Sequence, residues 1–262
     1  MSTNPQDPLE ADLIDSASSG NTEKVLELLA NPLLNPNCFD TNQFTPLNCA
    51  TWYGRIDTMV EMLKDERVDP NQPGKIGEPP LFCAVQRRNP DAIRVLSKHP
   101  RVHLNMRKED GATSFLYAAQ EGFAPELLLL LEVPQLDVNI GLNDGASPLF
   151  LACQNGHMEV VKIILALGKD VNAGKTWGDR SPAEHARSKG FEEIAVLLEK
   201  FVADGDNIRW SLRRELGATS KRFTILLFPP QLDFRADIHS LLLPFFSFFS
   251  EARWRRRCLR CW

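Results

Sequence analysis

Ser147-Pro148-Leu149-Phe150-Leu151-Ala152-Cys153-Gln154-Asn155-Gly156 runs straight into His157-Met158-Glu159-Val160-Val161-Lys162-Ile163-Ile164-Leu165. Ser147 suits a helix N-cap because its hydroxyl can accept from an unpaired backbone N–H. Pro148 suits the first helical position, where no N–H is needed. The residues after them predict a helix of about two turns ended by Gly156. Val160, Val161, Ile164 and Leu165 then share one face of a second helix, at i, i+1, i+4, i+5 spacing. Gly168 ends that helix, and Lys169-Asp170-Val171-Asn172 opens an extended loop. The stretch reads as helix, turn, helix, loop.

The pattern returns on a 34-residue step. Thr45-Pro46-Leu47 recurs as Pro79-Pro80-Leu81, Thr113-Ser114-Phe115, Ser147-Pro148-Leu149 and Ser181-Pro182-Ala183. Ala50, Ala84, Ala118, Ala152 and Ala186 form a second column. Gly20, Gly54, Gly122, Gly156 and Gly190 form a third, interrupted by Arg88. Asn37, Asn71, Asn105 and Asn139 form a fourth, with Asn172 one residue early. Self-similarity at this period marks a solenoid, in which each unit buries its apolar face against its neighbours.

The helix–turn–helix unit, its Thr-Pro-Leu-like start and its period closely resemble the ankyrin repeat. The resemblance covers residues 9–203 and implies an all-α ankyrin-repeat solenoid with loop or hairpin connections. Six units are expected, near 9–41, 42–75, 76–109, 110–143, 144–177 and 178–203. The first is degenerate, with Ala11-Asp12-Leu13 where the others turn. Asn48, Phe82, Leu116, Phe150 and Glu184 replace the histidine that follows Thr-Pro-Leu in the family, so its hydrogen bonds do not carry over. Arg88-Asn89-Pro90, in place of Gly-His, is expected to loosen or reshape one turn while leaving the unit intact.

With 43% hydrophobic and 24% charged residues, the 262-residue chain has a globular composition. Its net charge of -4 conceals an asymmetry: residues 1–204 carry 19 Lys+Arg against 29 Asp+Glu, and residues 205–262 carry 11 against 5. An acidic body argues against nucleic acid, whose phosphates demand many basic contacts. No secretory signal follows Met1, and the apolar run from Leu241 to Phe249 falls far short of the ~20 residues that span a bilayer. An intracellular protein, cytoplasmic or nuclear, is expected: not secreted and without a transmembrane helix. Cys49, Cys83 and Cys153 lie on apolar stretches and read as buried small hydrophobes. Cys258-x-x-Cys261 lacks the second ligand pair of a zinc site and the βαβ setting of a redox site.

Catalytic motifs are lacking. Gly174-Lys175-Thr176 mimics the end of a phosphate-binding loop, but the preceding glycine, Gly168, is one residue too distant. The five histidines are scattered, with no H-E-x-x-H, and no Gly-x-Ser-x-Gly elbow occurs. The expectation is a non-catalytic protein with no cofactor or metal.

The family resemblance implies a protein partner docked on the concave face, against loop tips and first-helix ends. The positions so implied are Phe44, Trp52, Tyr53, Gln86, Arg87, Lys108, Gln120, Gln154, Asn155 and Trp177. Trp52 and Tyr53 stand out, since Trp, Tyr and Arg dominate interface energetics. Packing over the neighbouring first helix is the competing role for Trp52, and folding against the next repeat the competing role for Trp177. A monomeric protein-interaction scaffold is the leading reading.

Residues 204–262 form a basic, aromatic-rich tail, expected to be partly disordered. Ile208 to Leu216 reads as a short amphipathic helix stopped by Gly217. Three readings of the tail stand side by side. It covers the last repeat and is otherwise disordered; it is a mis-annotated coding end; or Leu241–Phe249 with Arg255-Arg256-Arg257 anchors a membrane surface. In the last case the protein is a lipid-recruited adaptor whose repeats hold cargo.

Overall fold

The computed structural model describes residues 7–74, 77–167 and 180–219. They form an all-helical stack of thirteen helices: α1 (Pro8–Ser19), α2 (Thr22–Leu29), α3 (Pro46–Trp52), α4 (Ile56–Lys64), α5 (Pro80–Gln86), α6 (Pro90–Lys98), α7 (Ser114–Gln120), α8 (Ala124–Leu131), α9 (Pro148–Gln154), α10 (Met158–Ala166), α11 (Pro182–Ser188), α12 (Glu192–Ala203) and α13 (Gly205–Thr219). The first helices α1, α3, α5, α7, α9 and α11 stack in chain order as one layer, and the second helices α2 to α12 as the other. The Ser/Thr-Pro turns cap the first helices as their chemistry requires. Thr45, Thr113, Ser147 and Ser181 each accept from the backbone N–H three residues on, at 3.1 to 3.2 Å. Pro79 has no such hydroxyl, and α5 starts without a side-chain cap.

The glycine column is conformational. Gly54, Gly122, Gly156 and Gly190 adopt left-handed backbone between the paired helices. The next residue's N–H then returns to the alanine column: Arg55 to Ala50, Phe123 to Ala118, His157 to Ala152 and Phe191 to Ala186, at 2.8 to 2.9 Å. Arg88 corrects the expectation of a reshaped turn. It takes φ +53 and keeps the same geometry, with Asn89 N–H to Ala84 O at 3.0 Å. Left-handed backbone costs a non-glycine residue roughly 1–2 kcal/mol. Arg88 offsets it by placing its guanidinium 4.8 Å from the Phe123 ring and 3.3 Å from Glu126.

The asparagine column ties unit to unit. Asn37 donates to Arg67 O at 2.7 Å and accepts from Asp69 N–H at 2.8 Å. Asn71 repeats this with Arg101 and His103, and Asn105 with Gln135 and Asp137. The loops that follow are closed by single backbone bonds on the same step: Asp40 to Phe44, Gly74 to Glu78, Lys108 to Ala112 and Leu142 to Ala146, all 2.9 Å.

The two ends differ from the inner units. At Ala11-Asp12-Leu13 no turn forms, because Pro8 starts α1 earlier and Asp7 caps it through Leu9 N–H at 3.0 Å. At the other end Gly217 does not stop α13, which continues to Thr219. α13 packs on α10 and α12. Leu212 and Leu216 are buried there, Lys162 pairs with Glu215 at 2.6 Å and Arg213 donates to Ala166 O at 2.8 Å. Cys38, Cys49, Cys83 and Cys153 are buried free thiols, and burial pushes Cys38 and Cys49 up to about 12, far from the reactive thiolate.

Candidate partner-binding face

The C-terminal ends of α3, α5, α7 and α9 neighbour one another in the first-helix layer, which aligns Trp52-Tyr53, Gln86-Arg87, Gln120 and Gln154-Asn155 along one face. Trp52 is half-buried and Tyr53 is 57% exposed. Phe44, from the loop before α3, lies 5.8 Å from the Trp52 ring at 44°. Across the joint, the exposed Arg87 holds its guanidinium 4.8 Å over the same ring. Three side chains from two consecutive units thus meet at Trp52, beside an exposed phenol. Half-burial on Phe44 and Arg87 fixes the indole without hiding it. Indole, phenol and guanidinium each offer large contact area at low conformational cost.

The remaining positions differ in availability. Gln86 is half-buried, directed at the Tyr117 phenol, whose proton burial and the nearby Glu121 charge hold on more tightly. Gln120 O accepts from Asn155 Nδ2 at 2.8 Å and from the His157 ring at 2.9 Å, so the exposed Asn155 also ties two units together. Lys108 is tucked in: its side chain is only 16% exposed, 3.5 Å from Glu78 and 4.6 Å from the Phe82 ring centre. Asn143, a loop-tip residue, donates to Glu109 O and accepts from Arg107. Trp177, residues 75 and 76, the phosphate-loop mimic and residues 220–262 lie outside the described residues.

Two features escaped the sequence. Three of the residues in the family's histidine position, Phe82, Leu116 and Phe150, form a second apolar cluster with Ala112, Ala146 and Leu151. A large residue recurring there on the 34-residue step was the available signal. Arg67 and Arg101, also one step apart, close second-helix ends through backbone carbonyls. Carbonyl partners carry no sequence signal. Among the described residues no helix is long and apolar enough to cross a membrane, and no group of three His, Cys, Asp or Glu side chains is placed for a metal.

Residues 115–207 match the family model for ankyrin repeats in three copies. Among solved structures, the ankyrin repeat protein EF0377 superposes with TM-score 0.64 at 25% identity, covering 74% of this chain and 98% of its own. The ankyrin repeat domain of Bcl-3, a member of the IkappaB protein family, gives 0.68 at 21% identity, over 75% and 87%. An ankyrin repeat domain from Acinetobacter baumannii AYE gives 0.62 at 24% identity, over 71% and 95%. No curated protein sequence matches the chain.

Proposed function

The chain is an ankyrin-repeat protein, a class of protein-interaction modules, and from that premise we propose a non-catalytic scaffold that binds a protein partner on the concave face of residues 9–203. The observation that carries this reading is the Trp52 constellation: an indole held half-open between Phe44 and Arg87, next to an exposed Tyr53. The Arg87 stacking steadies the joint between two units, and the half-exposed indole still leaves area for a partner to cover. Each such aromatic anchor contributes on the order of 2 kcal/mol when a partner desolvates it. The acidic body favours partners with basic patches, because complementary fields speed encounter.

Affinity capture with the full chain and with Trp52→Ala/Tyr53→Ala tests the reading, with circular dichroism to show that the variant folds. The expected outcome is selective loss of proteins retained by wild type, and salt-weakened but salt-resistant residual capture. Unchanged retention of every captured protein by the folded variant removes the site.

A further inference from the structure

At two joints of the stack an arginine from the following loop closes the end of the preceding second helix. Arg67 donates to the carbonyls of Leu29, the last residue of α2, and of Asn31 just beyond it. Arg101, one step on, donates to the carbonyls of Leu63, in the last turn of α4, and of Asp65, Glu66 and Val68 beyond it, at 2.8 to 3.1 Å. The next residue on that step is Gln135. Its joint, at the ends of α6 and α8, holds a cavity of about 480 Å³ lined by Ser97, His99, Pro100, Val102, Glu132 and Gln135, among others. Ser97, His99, Pro100 and Val102 are the step equivalents of the four residues whose carbonyls receive Arg101.

We propose that this cavity is a binding site for the guanidinium of an arginine side chain supplied by another polypeptide. The fold builds a guanidinium site at each of the first two joints and fills it from within; at the third it repeats the carbonyl-bearing wall and replaces the arginine with a shorter, neutral amide. Carbonyls at a helix C-terminus carry partial negative charge and favour a cation. Their divergent directions suit the planar donor fork of arginine better than the point charge of lysine. Ser97, 4% exposed, belongs to the same wall, and its hydroxyl is shut off from solvent with no hydrogen-bond partner. Glu132 adds a carboxylate at the wall that Lys98, also in the lining, already pairs at 2.9 Å, so an entering guanidinium shares it with that ammonium. The site rests on residues other than the Trp52 face, and its test is independent of that face.

Titrating the full chain with N-acetyl-arginine amide, followed by amide NMR shifts, reads the site directly. Saturable shifts confined to residues around 97–105 and 132–135 are expected, with N-acetyl-lysine amide at least about fivefold weaker. Gln135→Arg is expected to abolish the response and to raise the melting temperature by roughly 4 °C, since it supplies the plug internally. Glu132→Gln, which leaves the carbonyl wall in place, is expected to weaken the titration several-fold. Scattered or absent shifts, equal response to both amides, or titrations unchanged in Gln135→Arg or Glu132→Gln overturn the proposal.

Discussion

The joint between the second and third units and the joint between the third and fourth use the same backbone wall and end differently. At the first, Arg101 satisfies four carbonyls at and beyond the end of α4. At the second, Gln135 leaves a cavity against Ser97 and His99. Other links match: Asn71 and Asn105 make the same bridge, at 2.7 and 3.1 Å, from loop to following unit. Quasi-equivalent units therefore share the bonds that set their spacing and vary those that finish the joint. The variation, not the repeat, creates local difference on an otherwise periodic surface.

Arginine replacement should separate the joints most. Arg101→Met removes the donors and keeps much of the stem, so four carbonyls lose their charged partner. A loss of roughly 2–3 kcal/mol is expected in denaturant unfolding. Gln135→Met at the other joint should change stability by less than about 0.5 kcal/mol. Equal losses at the two sites would mean that the arginine plug is not what distinguishes them.

The shared bond should behave symmetrically. Asn71→Ala and Asn105→Ala each remove one donor and one acceptor between units, and each should cost about 1–2 kcal/mol by the same measurement. A large difference between them would break the claim that spacing is set alike at both joints.

The smallest effect is a pH dependence at the open joint. Burial, aided by the Arg101 charge, holds His99 below the ordinary histidine value. The unfolded chain thus takes up the proton first, and His99 lowers stability as pH falls below about 6.5 toward its folded value. Thermal unfolding from pH 7.5 to 5.5 should show a shallower decline for His99→Gln than for wild type. An identical slope contradicts the assignment.

Much of the fold is legible in the residues because its determinants are local and repeated. Thr45, Thr113, Ser147 and Ser181 cap helices by their own chemistry, and the glycines supply a backbone that other residues adopt only at a cost. Arg88 escaped this reasoning because its strain is offset by Phe123 and Glu126, more than thirty residues away in sequence. Lys108 was legible as a polar loop residue but not as one drawn between Glu78 and Phe82 at the start of its own unit. Gly217 looked like a helix stop, yet burial of Leu212 and Leu216 against the repeats carries α13 past it. Of the candidate face, aromatic identity at Phe44, Trp52 and Tyr53 was readable. The stacking of Arg87 on Trp52 needed the structure.

The central claim is that this protein works by holding another protein at the Trp52 face. Site-specific photo-crosslinking tests it most directly, with the reactive residue placed at Tyr53 or, as control, at exposed Leu26 on α2 in the second-helix layer. The account predicts discrete protein adducts from position 53 that are lost with Trp52→Ala and absent from position 26. Equal adducts from both positions, or adducts from position 26 alone, would contradict it.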